Sequence, residues 1–204
     1  MKITKHIYII PILLLLACGE NNETTNINNE AIQYCDSAMA LSITEGVVGY
    51  ERAIKMLDKA TEIDTNYYLA YWNKLPLLTE LKQYDKALIA AKHLIRANPT
   101  NPDIYVTTGA LYHRLGDTIS AGRYYYNGME LYDKYLDTMN ARNNSYDMLL
   151  MNKGITLVML GKNKAGNNVL KSIYDRQTDK DFKEMLLGFM NKSKEEIMDK
   201  YQPK

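Results

Sequence analysis

The side chains that could carry out covalent or metal chemistry are few in this sequence, and they lie far apart. The three histidines are His6, His93 and His113, and the two cysteines are Cys18 and Cys35. The sequence has no paired histidines at helical spacing, no paired cysteines, no carboxylates with the spacing of metal ligands and no glycine-rich phosphate loop. We therefore predict neither an enzyme nor a bound cofactor or metal.

Cys18 differs from the other candidates because of what precedes it. Lys2 and Lys5 lie near the start of the chain, and an apolar run from Ile7 to Ala17 ends at the cysteine. A charged start and a short apolar run are typical of a secretion signal, and this run is too short for a comfortable membrane span. A plain N-terminal anchor helix with an incidental cysteine is the alternative.

The segment LLAC at residues 15–18 resembles the lipobox of bacterial lipoproteins, although Leu16 stands where a smaller residue is commoner. The resemblance implies that residues 1–17 are a signal peptide and that Cys18 is acylated on its sulfur and then on its new amino group. Several acyl chains hold a protein at a membrane far more firmly than one chain does. Residues 18–30 are rich in Asn and Glu, have little to bury and are predicted to be a disordered tether.

The residue after Cys18 is Gly19 and not Asp. In the sorting rule of bacterial lipoproteins, Asp at this place favours the inner membrane, so the resemblance implies an outer-membrane protein. The acidic, Asn-rich start also resembles the surface-export signals of Bacteroidota lipoproteins. The periplasmic face and the cell surface therefore both stay open.

The charge of the chain argues against nucleic acid as a partner. The formal net charge is +1, and loss of Lys2 and Lys5 with the signal leaves 23 basic and 24 acidic residues. No basic field of the kind that attracts phosphates remains after this loss.

A repeat of 34 residues organises the rest of the chain. Ala53, Ala87 and Ala121 are 34 residues apart, and the segments that start at Tyr50 and Tyr84 align without a gap. Small residues at a fixed period are what two closely packed helices in each unit require.

This pattern resembles the tetratricopeptide repeat (TPR), a pair of antiparallel helices. The resemblance implies an all-α superhelical array over residues 31–201. Asn101 and Pro102 are expected to begin one helix as its cap and first residue, and Asp117 is expected to cap another. The units and the C-terminal capping helix are placed at 34–67, 68–101, 102–135, 147–180 and 181–201.

The fourth unit starts eleven residues late in this register. We therefore expect the second helix of the third unit to run on through Met139. The residues from Asn140 to Ser145 are then the connecting loop.

In TPR proteins the first helix of each unit lines a concave groove, and the resemblance carries its positions over to three units. In the second unit they are Leu69, Trp72, Pro76, Thr79 and Glu80. In the third unit they are Asp103, Val106, Ala110, His113 and Arg114. In the fourth unit they form an apolar stripe, Met148, Met151, Ile155, Val158 and Met159. The alternative for this stripe is that Phe182, Phe189 and their neighbours cover it, since exposing so much apolar surface is costly.

Pro76 falls in the middle of the predicted helix 68–81, where it lacks an N–H and frees the carbonyl of Trp72. Our hypothesis is that the resulting kink tilts Leu69 and Trp72 into the groove beside His113 and its neighbour Arg114. Trp72 is then the candidate anchor for a partner. The alternative is a tolerated kink whose free carbonyl binds water.

These expectations describe a lipid-anchored cell-envelope adaptor that binds a protein or peptide of unknown identity in its groove. Two other functions stay open. One is an immunity lipoprotein that neutralises an antibacterial toxin, and the other is an assembly factor for envelope or secretion machinery. A neighbouring toxin gene favours the first, and neighbouring secretion or cell-wall genes favour the second.

Overall fold

A computed structural model describes residues 27–139 and 144–200 of the chain. The expected signal peptide, Cys18 and most of the expected tether lie outside these residues. The described residues form ten α-helices and one 3-10 turn, Gly46–Gly49, and contain no strand. The helices are α1 Asn29–Glu45, α2 Tyr50–Ile63, α3 Tyr68–Glu80, α4 Tyr84–Ala97, α5 Pro102–Arg114, α6 Thr118–Thr138, α7 Asn144–Met159, α8 Asn163–Arg176, α9 Lys180–Leu187 and α10 Lys194–Lys200.

The first eight helices pair in sequence order, and each pair packs against the next. Helices α2, α4 and α6 begin 34 residues apart, as the repeat predicts. Ala53, Ala87 and Ala121 are each at most 1% exposed, so the small residues of the repeat lie where helices touch. A Cβ added to Gly109 would lie 2.7 Å from the ring of Tyr125, which shows how closely α5 and α6 approach. The predicted all-α repeat architecture is confirmed.

The two predicted helix caps are present. The side chain of Asn101 accepts a hydrogen bond from the N–H of Asp103 at 3.0 Å, and Pro102 is the first residue of α5. The carboxylate of Asp117 accepts from the N–H of Ser120 at 2.9 Å at the start of α6. Hydrogen bonding by Ser120 also lowers the pKa of Asp117, as expected for a carboxylate at a helix N-terminus.

The first helix begins earlier than the repeat register predicts. α1 starts at Asn29, inside the segment 18–30 that was predicted to be a tether. Asn28 caps this helix by accepting from the N–H of Glu30 at 2.8 Å, and Ala31 is fully buried. A cap followed at once by a buried residue gives the chain both a start signal and a packing contact.

The connection between α6 and α7 begins within one residue of its predicted start, but it ends earlier than predicted. α6 is 21 residues long and ends at Thr138, one residue before the predicted end. α7 begins at Asn144, whereas the sequence predicted a loop through Ser145. The earlier start follows from Asp147, which is buried and accepts hydrogen bonds from Arg176 and from Gln177 next to it. The first turn of α7 is thus packed against the end of α8.

The C-terminal region forms two short helices where the sequence predicted one capping helix at 181–201. The chain leaves α9 at Gly188, and Asn191 has a left-handed backbone with φ of 58°. A reciprocal cap then starts α10. The N–H of Ser193 donates to the Glu196 carboxylate at 2.8 Å, and the N–H of Glu196 donates to the Ser193 hydroxyl at 3.2 Å. This capping box stops one helix from running through the segment.

The apolar residues of the array form two clusters. The N-terminal core runs from Ala31 in α1 to Leu111 in α5, and the C-terminal core runs from Ala121 in α6 to Met198 in α10. α5 borders both, because Leu111 belongs to the first core while Val106 packs against the second.

Candidate protein-binding groove

The groove positions lie on α3, α5 and α7, the first helices of the second, third and fourth pairs. α1 contacts α3 as well as its own partner α2, as expected for first helices on the inner side of a curved array. The structure gives the three sets of groove residues different surroundings.

The set on α3 is the most open. Leu69 is 45% exposed, and Trp72 is half-buried. The Trp72 ring stacks on Tyr68 with 5.8 Å between ring centroids, and it packs against the N-terminal core. A large aromatic side chain held rigidly on one side, beside an exposed leucine, has the features of an interface anchor.

The proline in this helix is where the sequence placed it. Pro76 lies inside α3 and is half-buried. Because it has no N–H, the carbonyl of Trp72 lacks its helical donor. The last two groove positions of α3, Thr79 and Glu80, lie one turn after Pro76. The hydroxyl of Thr79 donates to the carbonyl of Leu75 at 2.9 Å, and burial raises the pKa of Glu80.

Asp103, the first groove position of α5, is already engaged within the array. Its carboxylate accepts hydrogen bonds from the hydroxyl of Tyr132 and from the amide of Asn152, the latter at 3.1 Å. Burial raises its pKa, and the two hydrogen bonds oppose that effect in part. Asp103 therefore joins α5, α6 and α7. The prediction that Asp103 faces a partner needs correction for this reason.

The remaining positions of α5 face the C-terminal half of the protein. Val106 and Ala110 pack against the C-terminal core. The Nδ1 atom of His113 is buried and has no hydrogen-bond partner among the described residues. Arg114 donates from its guanidinium to the backbone carbonyl of Met198 in α10. Arg114 is thus bonded to α10, while Trp72 packs against the N-terminal core. That Pro76 tilts Trp72 into a groove beside His113 stays a prediction.

The apolar stripe of α7 is covered. Met148 is half-buried, and Met151 and Ile155 are only 3% and 8% exposed. The stripe packs in the C-terminal core, together with Phe182 of α9, Phe189 in the turn after it, and Ile197 and Met198 of α10. The alternative interpretation, that C-terminal residues cover the stripe, describes this arrangement. Met151 and Ile155 are not open groove residues in this conformation.

Sequence reasoning did not foresee that a separate helix, α10, lies against the ends of α5 and α7. A usable signal was present, because Ser193 and Glu196 have the spacing of a capping box just before the apolar pair Ile197 and Met198. A cap followed by an apolar pair indicates a short helix with one buried side.

Within residues 27–139 and 144–200, no three His, Cys, Asp or Glu side chains come close enough together to hold a metal ion. None of the helices in this part of the chain combines the length and apolar character needed to cross a membrane. Cys35 is buried and accepts a hydrogen bond from the amide of Asn73 at 3.3 Å.

No protein-family model and no curated protein matches the chain, but solved structures do. A double mutant of MamA RS-1 matches with a TM-score of 0.55 at 18% identity, over 74% of this chain and 80% of that one. PilW, described as a widely conserved type IV pilus biogenesis factor, matches with a TM-score of 0.54 at 20% identity, over 85% of this chain and 75% of that one. YrrB, described as a TPR protein with an unusual peptide-binding site, matches with a TM-score of 0.50 at 22% identity, over 72% of this chain and 69% of that one.

Identities this low establish the fold and nothing finer. The helix pairs, their 34-residue spacing and the buried small residues agree with these structural matches. Over its described residues, the chain has the fold of the tetratricopeptide-repeat family.

Proposed function

We propose that this protein is a non-catalytic adaptor of the cell envelope, held at the outer membrane by lipid on Cys18, which binds a protein or peptide in the groove of its TPR array. The observation that supports binding most directly is the open anchor on α3, where Leu69 is exposed beside the half-buried Trp72. Binding energy in protein interfaces concentrates on such aromatic anchors. YrrB, which shares the fold, is described as having a peptide-binding site.

The anchoring part of the proposal rests on the sequence of residues 1–18. Nine residues separate Cys18 from Asn28, the cap of α1. A fully extended chain covers at most about 3.5 Å per residue, so this stretch reaches at most about 35 Å. A lipid on Cys18 would therefore keep the start of the array close to the membrane surface, which supports a partner in the envelope.

An assembly factor is the second candidate function. PilW, another protein with this fold, is described as a pilus biogenesis factor. Such a factor would use the same groove, so the identity of the partner distinguishes this role from a general adaptor. If the partner proves to be a toxin, the protein is instead an immunity lipoprotein.

Lipidation is tested by Cys18→Ser. We expect loss of label from a fatty-acid probe and release of the protein from the membrane fraction. Undiminished label on the variant would contradict the anchor and leave groove binding to be judged separately.

Groove binding is tested with a photo-crosslinking amino acid placed at Leu69 in cells. The matched control is Ile89, an exposed aliphatic residue on α4, the second helix of the second pair. We expect a defined crosslinked product from position 69, lost in Trp72→Ala, and none from position 89. Crosslinking from position 89 alone would place the binding surface on the outer side of the array.

A further inference from the structure

α10 lies at the C-terminal end of α5, where Arg114 bonds to Met198, and its Lys194 lines one cleft with Met159 at the end of α7. Ile197 and Met198 are only 2% and 7% exposed and belong to the C-terminal core together with Met159. Met198 also receives the hydrogen bond from Arg114 through its carbonyl. The contact of α10 with the array is therefore centred on two adjacent aliphatic side chains and one backbone carbonyl.

An open cleft adjoins the first residue of α10. A cavity of about 210 Å³ lies beside Lys194, between the start of α6 and the end of α7. Its wall includes Tyr125, Met159 and Gly122, and a Cβ added to Gly122 would meet no atom within 4 Å. The start of α10 therefore borders a cleft that is open to a further side chain beside Lys194.

The segment that carries α10 is built to hold its shape with few contacts to the array. Its first turn is capped by Ser193 and Glu196, and Lys192 pairs with Glu196 at 3.0 Å. These interactions lie within the segment and do not depend on a side chain of the array. A helix of seven residues is not stable alone in water, so α10 gains most of its order from the place where it docks.

We propose that α10 occupies the docking site of the partner, and that the partner binds by placing an amphipathic helix there in the place of α10. The inference rests on the proposed function and names the partner's chemistry. The site accepts two adjacent aliphatic side chains, as Ile197 and Met198 show.

Charge favours one direction for the bound helix. The guanidinium of Arg114 meets a carbonyl in the last turn of α10. A cation is favourable near a helix C-terminus, where free carbonyls carry partial negative charge. The partner helix is therefore expected to lie in the direction of α10, with its C-terminal end at Arg114 and its N-terminal end beside His113.

The first test uses the purified full chain and a synthetic peptide of residues 192–204. Ile197→Asp removes one aliphatic anchor and releases α10. Its matched control is Leu187→Asp, the same kind of change at a half-exposed position of α9. We expect the peptide to shift the methyl signal of Met159 in NMR spectra of Ile197→Asp, with an affinity at least tenfold higher than for the wild type or for Leu187→Asp.

A peptide carrying aspartate at both positions 197 and 198 should leave the Met159 signal unchanged. If Ile197→Asp fails to fold, as judged by circular dichroism, Ile197→Ala takes its place with a smaller expected gain. No shift of the Met159 signal in a folded, released variant, up to the solubility limit of the peptide, would overturn the proposal.

The second test separates this inference from the proposed function. A photo-crosslinker at Met159 should capture the partner that position 69 captures, several-fold more in Ile197→Asp than in the wild type. Mass spectrometry should place the crosslink in an amphipathic helix with two adjacent aliphatic residues.

A partner captured at position 69 but never at position 159 overturns the inference alone. Capture of a second copy of this chain at position 159 overturns it as well, because the occupant is then an exchanged α10. No capture at either position contradicts both proposals.

Discussion

A Cβ added to Gly166 would lie 2.5 Å from the carbonyl oxygen of Gly154. The two glycines face each other where α8 crosses α7, and Val158 closes the same contact with its Cγ2 atom at 2.6 Å from that position. The helices of the fourth pair are thus in backbone contact, in a unit whose repeat pattern is otherwise weak.

This contact predicts that Gly166→Ala destabilises the protein by about 1–3 kcal/mol, the usual cost of overpacking a closely packed contact. Gly122→Ala is the matched control, since it is also a helical glycine but has open space around its Cβ position. It should stabilise the protein by about 0.5–1 kcal/mol, because alanine favours the helix. Urea denaturation of both variants measures the two effects, and equal shifts would contradict the packing of α7 on α8.

The second prediction tests the repeat register in the N-terminal core. Ala87 is fully buried, so Ala87→Leu should cost about 1–3 kcal/mol through overpacking. Lys86→Leu, at an exposed position of the same helix, should change stability by less than about 0.5 kcal/mol. Similar melting temperatures for the two variants would show that the register is wrong.

The third prediction concerns the proline in α3. Pro76→Ala restores an N–H for the carbonyl of Trp72 and should stabilise the free protein, by up to about 3 kcal/mol. Pro99→Ala is the control, because Pro99 is exposed in the turn after α4 and restricts only the unfolded chain. That change should be neutral or slightly destabilising. If Pro76 orients Trp72 for a partner, Pro76→Ala also weakens crosslinking from position 69.

The fourth prediction is a pH dependence at the docked helix. Burial lowers the pKa of His113, the charges of Lys194 and Arg114 lower it further, and Glu195 opposes them. A pKa lower in the folded chain means that folding releases protons, so this stabilisation is present above the unfolded value of about 6.5 and is lost as the pH falls. Hydrogen exchange of the Ile197 amide, corrected for its intrinsic rate, should accelerate from about pH 7 to about pH 5. An identical profile in His113→Asn would show that another group is responsible.

Local signals in the sequence were sufficient for the repeat. The small residues at positions 53, 87 and 121 mark helix contacts that recur with the period, and the caps at Asn101 and Asp117 are set by residues beside the helices they start. Each of these features depends on neighbours within one unit or in the next. The 34-residue period was therefore enough to place them.

The groove was less predictable because its availability depends on residues distant in sequence. Family positions identified Asp103 and Arg114 as groove residues, but Asp103 is bonded to Tyr132 and Asn152, and Arg114 to Met198. Periodicity within a helix shows which side faces inward, and it does not show which other segment lies there. Among the predicted groove residues, Leu69 on α3 keeps the exposure that the prediction requires.

The two cores have a consequence for how the molecule comes apart. α5 is their common boundary, with Leu111 in one core and Val106 against the other. In a linear array each unit is stabilised only by its neighbours, so loss of the C-terminal core leaves the helices from α1 to α4 with their own apolar centre. Opening is therefore expected to begin at the end that carries α10 and to stop at α5, and a protease would first yield a resistant N-terminal half. If Cys18 is lipidated as proposed, the half that survives is the one beside the membrane.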